Sequence, residues 1–444
     1  MPYNIIPLKA FPTERGTALD KKAIAFWFAN GFMLEDDSFW EDVKWERPTV
    51  DGPLWFYQPR ERSFDDVVEE FADLFETIVR EHLDGKKAIL PLSGGLDSRS
   101  LAVALHRSGI ETYGFSYRFA GSFAETKYGK ELARIAGWEF DAFDIPPSYL
   151  WDKIEEAGRI NGCYAEFTHA RQVAVAEEIS KKGDIWVLGH WGDVLFDDMG
   201  VSDNLAFDDQ VKVLYKKVLK KGGKEIAGDL WSEWDLEGAF DQVLNDRLSS
   251  MLGSIDIENA NARIRAFKSK YWATRWTTTN LSFFGHWKPM SLPYYDDRMC
   301  RFICSVPEKY LAGRQVQLEY IRRYAPKMAA VPWQDKEPYN LFNYHHHRTS
   351  RHLPYRITQK FKRTWDEKVL GKKLILRNWE NQFLGGDNPQ HLESWLFENP
   401  KLLDLVPKPL IQKYYDRFLH EDPVFWSHPV SMLLTLSVFA KENL

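Results

Sequence analysis

The chain has 444 residues, 58 Lys and Arg against 64 Asp and Glu, and 44% hydrophobic residues. This composition predicts a globular protein of two or three domains, and a net charge of −6 excludes a whole-surface basic field, so we expect no nucleic-acid partner. Three cysteines exclude a disulfide framework, and no apolar run reaches the ~20 residues that span a bilayer, so we expect a cytoplasmic protein without a membrane partner.

The first 62 residues mix aromatic side chains with Pro and Gly, among them Trp27, Trp40 and Trp55. This texture predicts a small, β-leaning segment that ends in a turn-rich linker at 58–62. The segment is too short to be an enzyme by itself.

Residues 63–200 alternate helix and strand patterns. Helices are predicted at 64–82, at 98–107 and around Tyr128 to Ala136, and strands at 88–92, 112–117, Glu139–Ile145 and 185–188. Helices between strands predict βαβ units, and therefore an α/β fold with a parallel sheet flanked by helices. Residues 201–290 and 291–444 are helical in pattern, and 430–441 predicts a closing amphipathic helix.

The segment Leu-Ser-Gly-Gly-Leu-Asp-Ser at 92–98 lies between a predicted strand and a predicted helix. Small residues here let backbone N–H groups surround an anion, and the helix N-terminus adds partial positive charge. A plain tight turn with an Asp or Ser N-cap is the alternative. Neither GxxxxGK[ST] nor GxGxxG occurs, so the loop belongs neither to a kinase-type phosphate site nor to a dinucleotide fold.

The string at 93–98 resembles the pyrophosphate loop of the N-type ATP pyrophosphatases, and its Leu-Asp-Ser ending resembles the asparagine synthetase branch. Three further segments are similar to that branch: Gly-His-Trp-Gly-Asp-Val at 189–194, Pro-Tyr-Tyr-Asp-Asp-Arg at 293–298 and Trp-Gln-Asp-Lys-Glu at 333–337. The resemblance implies a five-stranded parallel sheet of the adenine-nucleotide α-hydrolase kind at 63–340, with a helical insertion at 201–290. It also implies a helical region at 341–444 and a remnant of a glutaminase-like domain at 1–62.

This resemblance implies that ATP is split between its α- and β-phosphates to adenylate a carboxylate, and that ammonia or an amine then forms an amide. Asp97 and Asp193 would bind Mg²⁺, Lys336 would neutralise charge on the α-phosphate, and His190, in place of a family Glu, would accept a proton. The implied catalytic residues are Lys336, His190 and Asp97. The implied ATP-binding residues are Leu92, Ser93, Gly94, Gly95, Asp97, Ser98, Phe115 and Gly189.

Each single-residue role has a structural alternative. Lys336 would otherwise be a solvated surface lysine, Asp193 a helix N-cap, and His190 a packing residue or a hydrogen-bond partner of the nucleotide. The sequence by itself leaves these alternatives open, because it does not show where the side chains point.

The sequence departs from the family at two places. No cysteine precedes Cys163, so the nucleophile of the glutaminase domain is absent, and we expect nitrogen from ammonia, a separate glutaminase or a substrate amine. Val194 stands where the family has an acid that recognises aspartate, and Trp191 replaces a Gly, so we do not expect aspartate as the acceptor. The acceptor remains open between a sugar acid, a peptide and a small amino acid.

Residues 343–377 form a basic segment with ten Lys and Arg against two acids, beside His345, His346, His347 and His352. It is either an anion-binding surface for a substrate or carrier, or an ordinary solvated surface. Two other functions stay open. One is a catalytically silent nucleotide-binding partner of a separate glutaminase or biosynthetic complex, and the other is a tRNA-modifying pyrophosphatase, which typically needs a reactive cysteine.

Overall fold

The computed structural model describes residues 11–46, 55–119, 122, 126–368, 375 and 377–444. Its sheet has five parallel strands in the order β3-β2-β1-β4-β5. The strands are β1 (Ala88–Pro91), β2 (Thr112–Phe119), β3 (Glu139–Ile145), β4 (Ile185–Val187) and β5 (Met290–Ser291). In register, Ala88 of β1 lies opposite Thr112 of β2 on one side and Ile185 of β4 on the other.

This strand order places the site. The chain adds β2 and β3 on one side of β1 and then crosses to add β4 and β5 on the other. The loops that follow β1 and β4 therefore leave neighbouring strands at the same carboxyl edge and diverge there. Such a reversal of strand order opens a crevice for ligands in α/β folds.

The helices of the first half surround the sheet. They are α1 (Lys21–Asn30), α2 (Phe64–Leu83), α3 (Leu96–Arg107), α4 (Thr126–Ala136), α5 (Tyr149–Asn161), α6 (Ala176–Ser180) and α7 (Gly192–Leu195). The predicted insertion at 201–290 is helical, as expected. It comprises α8 (Phe207–Val218), α9 (Gly223–Glu233), α10 (Phe240–Gly253), α11 (Ala260–Phe267), a π-helical stretch (Lys268–Thr277) and α12 (Thr278–Gly285).

The last third is helical as well. Its helices are α13 (Asp297–Cys304), α14 (Glu308–Leu311), α15 (Gln315–Tyr324), α16 (Pro326–Ala329), α17 (Leu353–Lys368), α18 (Asn378–Phe383), α19 (Asn388–Phe397), α20 (Pro400–Leu405), α21 (Lys408–His420) and α22 (Pro423–Asn443). Short 3₁₀ turns at Gln334–Lys336 and Tyr344–Arg348 lie between α16 and α17. The predicted α/β class, with five parallel strands and flanking helices, is confirmed.

The expected β-leaning character of the N-terminal segment was wrong where the structure describes it, because its regular element is the helix α1. The Asp20 carboxylate accepts the N–H of Ala23 at 2.8 Å as an N-cap, and Gly31 ends the helix with a φ of 75°. The residues from Ala23 to Asn30 are all buried, so their apolar run has no exposed face from which a helical period is visible.

The closing helix α22 was expected to be amphipathic, and this was also wrong. Among the described residues, α22 is the helix that is long and apolar enough to cross a membrane. However, 83% of its most apolar stretch is buried inside the protein. A buried core helix can have the same length and hydrophobicity as a membrane-spanning helix. It packs beside α1, where the ring Nε2 of His428 lies 2.8 Å from the carbonyl oxygen of Phe28.

Candidate active site

Hydrogen bonds to the hydroxyl groups of Ser93 and Ser98 fix the conformation of the loop at 92–98. The Ser98 hydroxyl accepts the N–H of Ser93 at 3.2 Å and lies 3.0 Å from the Ser93 hydroxyl, which in turn accepts the N–H of Gly95 at 3.2 Å. Gly95 is the extended N-cap of α3 and offers no side-chain cap. The first backbone N–H groups of this twelve-residue helix are therefore left to bind an anion.

Gly94 lets a distant segment approach the loop. A Cβ at Gly94 would lie 2.6 Å from Cβ of Gln334 and 2.8 Å from Cδ2 of Tyr128, closer than side-chain atoms can pack. In that space the N–H of Gly94 donates to Oε1 of Gln334 at 3.1 Å, and the N–H of Gln334 donates to the carbonyl of Gly94 at 3.2 Å. These two hydrogen bonds hold the turn that carries Lys336 against the loop.

A buried arginine completes the same junction. The guanidinium of Arg99 is fully buried and donates to the carbonyls of Gly94, Met328, Val331 and Pro332, at 2.9 to 3.3 Å. Burial lowers the pKa of Arg99 to about 10, so it stays charged at neutral pH. Arg99 was not identified from the sequence, because it lies among polar residues in the first turn of α3, where an arginine is not unusual.

Asp97 and Asp193, which the family resemblance implied as Mg²⁺ ligands, line one cavity and their carboxylates interact electrostatically. Burial raises the pKa of Asp97 to about 6, and the nearby Asp193 carboxylate adds to this, while Arg314 and Gln317 oppose it. Arg314 forms an ion pair with Asp97 Oδ1, and Nε2 of Gln317 donates to the same oxygen at 3.0 Å. Neither Arg314 nor Gln317 was identified from the sequence, because nothing local marks their approach to the loop.

The backbone after β4 is shaped to admit Asp97. A Cβ at Gly192 would lie 2.2 Å from Oδ1 of Asp97, so any larger residue would displace the carboxylate. Asp193 lies in the first turn of α7 and is exposed, whereas Trp191 occupies the N-cap position. The alternative in which Asp193 is the N-cap of this helix is therefore not what the structure shows.

The loops after β1 and β4 border a cavity of about 520 Å³, which we call the nucleotide cavity after the ligand that is proposed for it below. The predicted residues that line it are Leu92, Ser93, Asp97, Ser98, Phe115, Gly189, His190 and Asp193. Gly94 and Gly95 belong to the loop but do not line this cavity. Arg171 and Trp276, which the sequence analysis did not single out, lie in its wall.

A second cavity of about 660 Å³ shares Asp193 with the first, and we call it the acceptor cavity after the substrate that is proposed for it below. Asp193 lines both cavities, and Lys336 lines the second rather than the first. The ammonium of Lys336 lies 5.5 Å from the centre of the Trp333 ring, and no carboxylate in the described part of the chain forms an ion pair with it. Its neighbour Glu337 is instead paired with Lys127.

The acceptor cavity carries charges of both signs. Its wall includes Arg314, Arg348 and His345 together with Asp193 and Asp197. The Asp197 carboxylate accepts the N–H of Gly313 at 2.8 Å, and the sequence analysis missed this acid. Val194, which stands where the family has an acid, is buried and lines neither cavity.

His190 is partly exposed to the nucleotide cavity, and its ring Nδ1 is buried without a hydrogen-bond partner. Burial lowers the pKa of His190 to about 4, although the Asp193 carboxylate opposes the shift, so the ring is neutral at neutral pH. The indole N–H of the adjacent Trp191 donates to the Ser269 hydroxyl at 3.1 Å. Trp191 has a φ of 73°, a backbone conformation that is unusual for a bulky residue.

The carboxylates of Asp97 and Asp193 are suitable oxygen ligands for a magnesium ion, but they supply only part of its coordination shell. No group of three or more His, Cys, Asp or Glu side chains in the described residues could hold a metal ion. Asp97 and Asp193 would therefore share an ion with phosphate oxygens, which is how Mg²⁺ is usually bound beside nucleotides. Burial, and after it the Asp193 carboxylate, raise the pKa of Asp97, and a bound cation would favour its charged form.

Comparison with known proteins assigns no family. No family model matches the chain, and no curated protein matches it significantly. Among the solved structures that match is an NMN synthetase from Francisella tularensis, at 12% identity and a TM-score of 0.25, covering 48% of this chain and 97% of that one. At this TM-score the likeness assigns neither a fold nor a function to the chain.

Proposed function

We propose that the protein is an ATP-dependent carbon–nitrogen ligase of the asparagine synthetase-like kind, which adenylates a carboxylate and then forms an amide. The observation that carries the proposal is the pair of cavities that meet at Asp193. The nucleotide cavity is bounded by the loop at 92–98, and the acceptor cavity contains Lys336. Two substrates bound there would meet beside the two carboxylates.

In the first step, a carboxylate oxygen of the acceptor attacks the α-phosphorus of ATP, and the bond from that phosphorus to the bridging oxygen of pyrophosphate breaks. The N–H groups at the start of α3 and the hydroxyls of Ser93 and Ser98 would hold the departing pyrophosphate. Leu92, Phe115 and Gly189 would surround the nucleoside part of ATP. Lys336 would face the charge that develops at the α-phosphate.

Asp97 and Asp193 would hold Mg²⁺ together with the phosphates of ATP. When bound, the ion neutralises phosphate charge. Arg314 and Gln317 keep Asp97 in place through its Oδ1, and this leaves Oδ2 for the ion.

In the second step, a nitrogen nucleophile attacks the acyl carbon, the bond from that carbon to the AMP oxygen breaks, and the nitrogen loses a proton. His190 lines the nucleotide cavity and its ring is neutral at neutral pH, so it is the side chain proposed to receive that proton. Ammonia, a separate glutaminase and a substrate amine all remain sources of the nitrogen.

The acceptor cavity favours a large acceptor, such as a sugar acid or a peptide carboxylate, free or on a carrier. Its volume of about 660 Å³ exceeds what a small amino acid fills, and Lys336, Arg348 and His345 lie in its wall. Arg348 forms no ion pair within the described residues, so its charge is free for an anion.

Thiol chemistry, and with it the tRNA-modifying alternative, is not favoured. Cys163, Cys300 and Cys304 are all buried, and burial raises the pKa of each thiol, that of Cys304 to about 11. A reactive cysteine instead needs an exposed, electropositive position.

The test uses hydroxylamine as a general amine that traps an acyl-adenylate as a hydroxamate. The protein is incubated with ATP, Mg²⁺, hydroxylamine and a panel of sugar acids and peptide carboxylates, and the nucleotides are separated by chromatography. We expect AMP and pyrophosphate with an active acceptor, and no product from Asp193→Asn. ADP as the main product would overturn the proposal, and ATP binding without turnover on any acceptor would favour the silent nucleotide-binding partner.

A further inference from the structure

Helix α17 exposes a continuous apolar stripe. Leu353, Ile357, Phe361 and Trp365 are spaced four residues apart, so they lie along one side of the helix. Their exposed fractions are 54%, 47%, 73% and 62%. Of the seven large hydrophobic side chains that are exposed in the described part of the chain, these four lie on this one helix. Soluble surfaces seldom group them so closely.

The opposite side of α17 is the side attached to the protein. The Tyr355 hydroxyl is hydrogen-bonded to the Glu337 carboxylate, next to Lys336 in sequence, and the Tyr355 ring lies 5.6 Å from the His352 ring. At 100° per residue, Tyr355 projects away from the centre of the stripe. This attachment turns the apolar stripe outward and links α17 to the turn that carries Lys336.

Basic side chains flank the stripe. Arg356 and Lys360 are exposed beside it, and Arg348 and Arg351 are exposed just before the helix. From residue 343 to residue 365 the sequence has no Asp or Glu. Neither Arg356 nor Lys360 forms an ion pair among the residues that the structure describes. The surface therefore combines exposed aromatic groups with an uncompensated positive charge.

We propose that α17 docks this protein onto an anionic lipid surface, with the apolar stripe at the boundary of headgroups and acyl chains and Arg356 and Lys360 near lipid phosphates. Apolar residues on one face and Lys and Arg on the other are the pattern of helices that lie in the plane of a membrane. The sixteen residues of α17 are too few to span a bilayer. An in-plane helix needs no spanning segment, which was the ground for expecting no membrane partner.

A lipid surface fits α17 better than a protein partner does. The stripe is a single row of four exposed side chains on one helix. A fluid lipid layer can close around such a row, whereas a protein would need a matching groove with acidic edges. Tyr344, His345 and Arg348 of the acceptor cavity immediately precede α17 along the chain. Docking would therefore hold the acceptor cavity close to the lipid surface. The inference goes beyond the proposed function and does not depend on it.

The test is flotation of the full chain with vesicles of phosphatidylcholine alone or with about 30% phosphatidylglycerol added. We expect binding to the anionic vesicles that weakens in high salt. The double variant Phe361→Ser with Trp365→Ser should lower the bound fraction about tenfold or more, because it removes the two most exposed side chains of the stripe. Leu419→Ser, which removes an exposed leucine of α21, should leave binding unchanged.

A charge variant, Arg356→Glu with Lys360→Glu, should abolish the preference for anionic vesicles. Both double variants change exposed side chains, so an unchanged melting temperature is expected and confirms that they fold. Failure of the wild-type chain to bind anionic vesicles would overturn the proposal. So would equal binding by the serine variant, or a dimer in solution that this variant dissolves, which would assign the stripe to a second copy of the chain.

Discussion

At the scale of single residues, Arg99 holds the candidate site together. Its buried guanidinium binds the carbonyl of Gly94 in the loop and three carbonyls between Met328 and Pro332. A buried cation that donates to four carbonyls fixes the geometry of its partners, and its loss removes one donor from each of them. We therefore assign Arg99 a positioning role between the loop and Lys336.

Arg99→Leu should lower the free energy of unfolding by about 3 kcal/mol or more, because four carbonyls would each lose the buried donor that Arg99 supplies. Denaturant unfolding measures this. Arg99→Lys should recover part of the loss, since an ammonium satisfies some of the same carbonyls. The control is Arg134→Leu, at an exposed position in α4, which should change stability by less than about 0.5 kcal/mol. Equal effects of the two leucine variants would contradict the role.

Lys336→Ala should slow pyrophosphate release about a hundredfold or more without lowering the melting temperature. A lysine that meets charge developing only in the transition state contributes roughly 3 kcal/mol to the rate, whereas a surface lysine contributes almost nothing. Lys327→Ala, which removes an exposed lysine of α16, is the control. Near-normal turnover of the Lys336 variant would instead show that Lys336 is an ordinary solvated surface lysine.

His190 should make the protein sensitive to acid. Its pKa is lowered from 6.5 to about 4 in the folded chain by burial, so protonation favours the unfolded chain. Above pH 6.5 His190 is neutral in both the folded and the unfolded chain and does not oppose folding. As the pH falls from 6.5 toward 4, the unfolded chain takes up the proton first, and the folded chain loses stability relative to it. His190→Gln should therefore lose less stability than the wild type between neutral pH and about pH 5, measured by denaturant unfolding. Parallel losses would contradict a neutral, buried His190.

The same lowered pKa changes the expected pH profile of amide formation. An imidazole at its ordinary pKa would produce a decline near 6.5, but His190 should produce one near 4. His190→Gln should still release pyrophosphate and stall before nitrogen transfer. Equal loss of both half-reactions would assign His190 to nucleotide binding or packing instead.

At the scale of elements, the loop at 92–98 depends on contact with the turn Gln334–Lys336. Gly94→Ala should weaken ATP binding at least tenfold, because the new Cβ would displace Gln334 from the loop. Equilibrium titration with ATP measures the affinity. Gly228→Ala in α9 is the matched control: a Cβ there meets nothing within 4 Å, and alanine is the better helix former by about 1 kcal/mol. Unchanged ATP affinity in the Gly94 variant would disprove the dependence.

The predicted helices and strands agree with the structure where one face of the element is exposed to solvent. The helix α2 and the strand β3 lie at the predicted positions, because the alternation of apolar and polar residues there has a visible period. The pattern failed for α1 and α22, which are buried on nearly all sides. A uniformly apolar run carries no period, so burial removed the signal that distinguishes a helix from a strand or an amphipathic helix from a core helix.

At the scale of the whole molecule, α1 is part of the main core. Trp27 is fully buried, its indole N–H donates to the Tyr164 carbonyl at 3.0 Å, and its ring packs edge-on against Phe39. Trp27→Ala should lower the free energy of unfolding by about 3 to 5 kcal/mol. Trp365→Ala, at an exposed site on α17, should leave it unchanged. Near-equal stability of the two variants would show that α1 contributes little to the main core.

The sequence by itself determined the loop at 92–98, the strands around it and most helices, because these depend on neighbours a few residues apart. Only the tertiary structure decided that Asp97 meets Asp193 and Arg314, and that Lys336 faces a second cavity. The meeting of Asp97 with Asp193 follows from the strand order, in which β4 returns beside β1 and brings their two loops to one edge. Burial likewise decided that α22 is inside and that the stripe of α17 is outside, because exposure depends on which surfaces the rest of the chain covers.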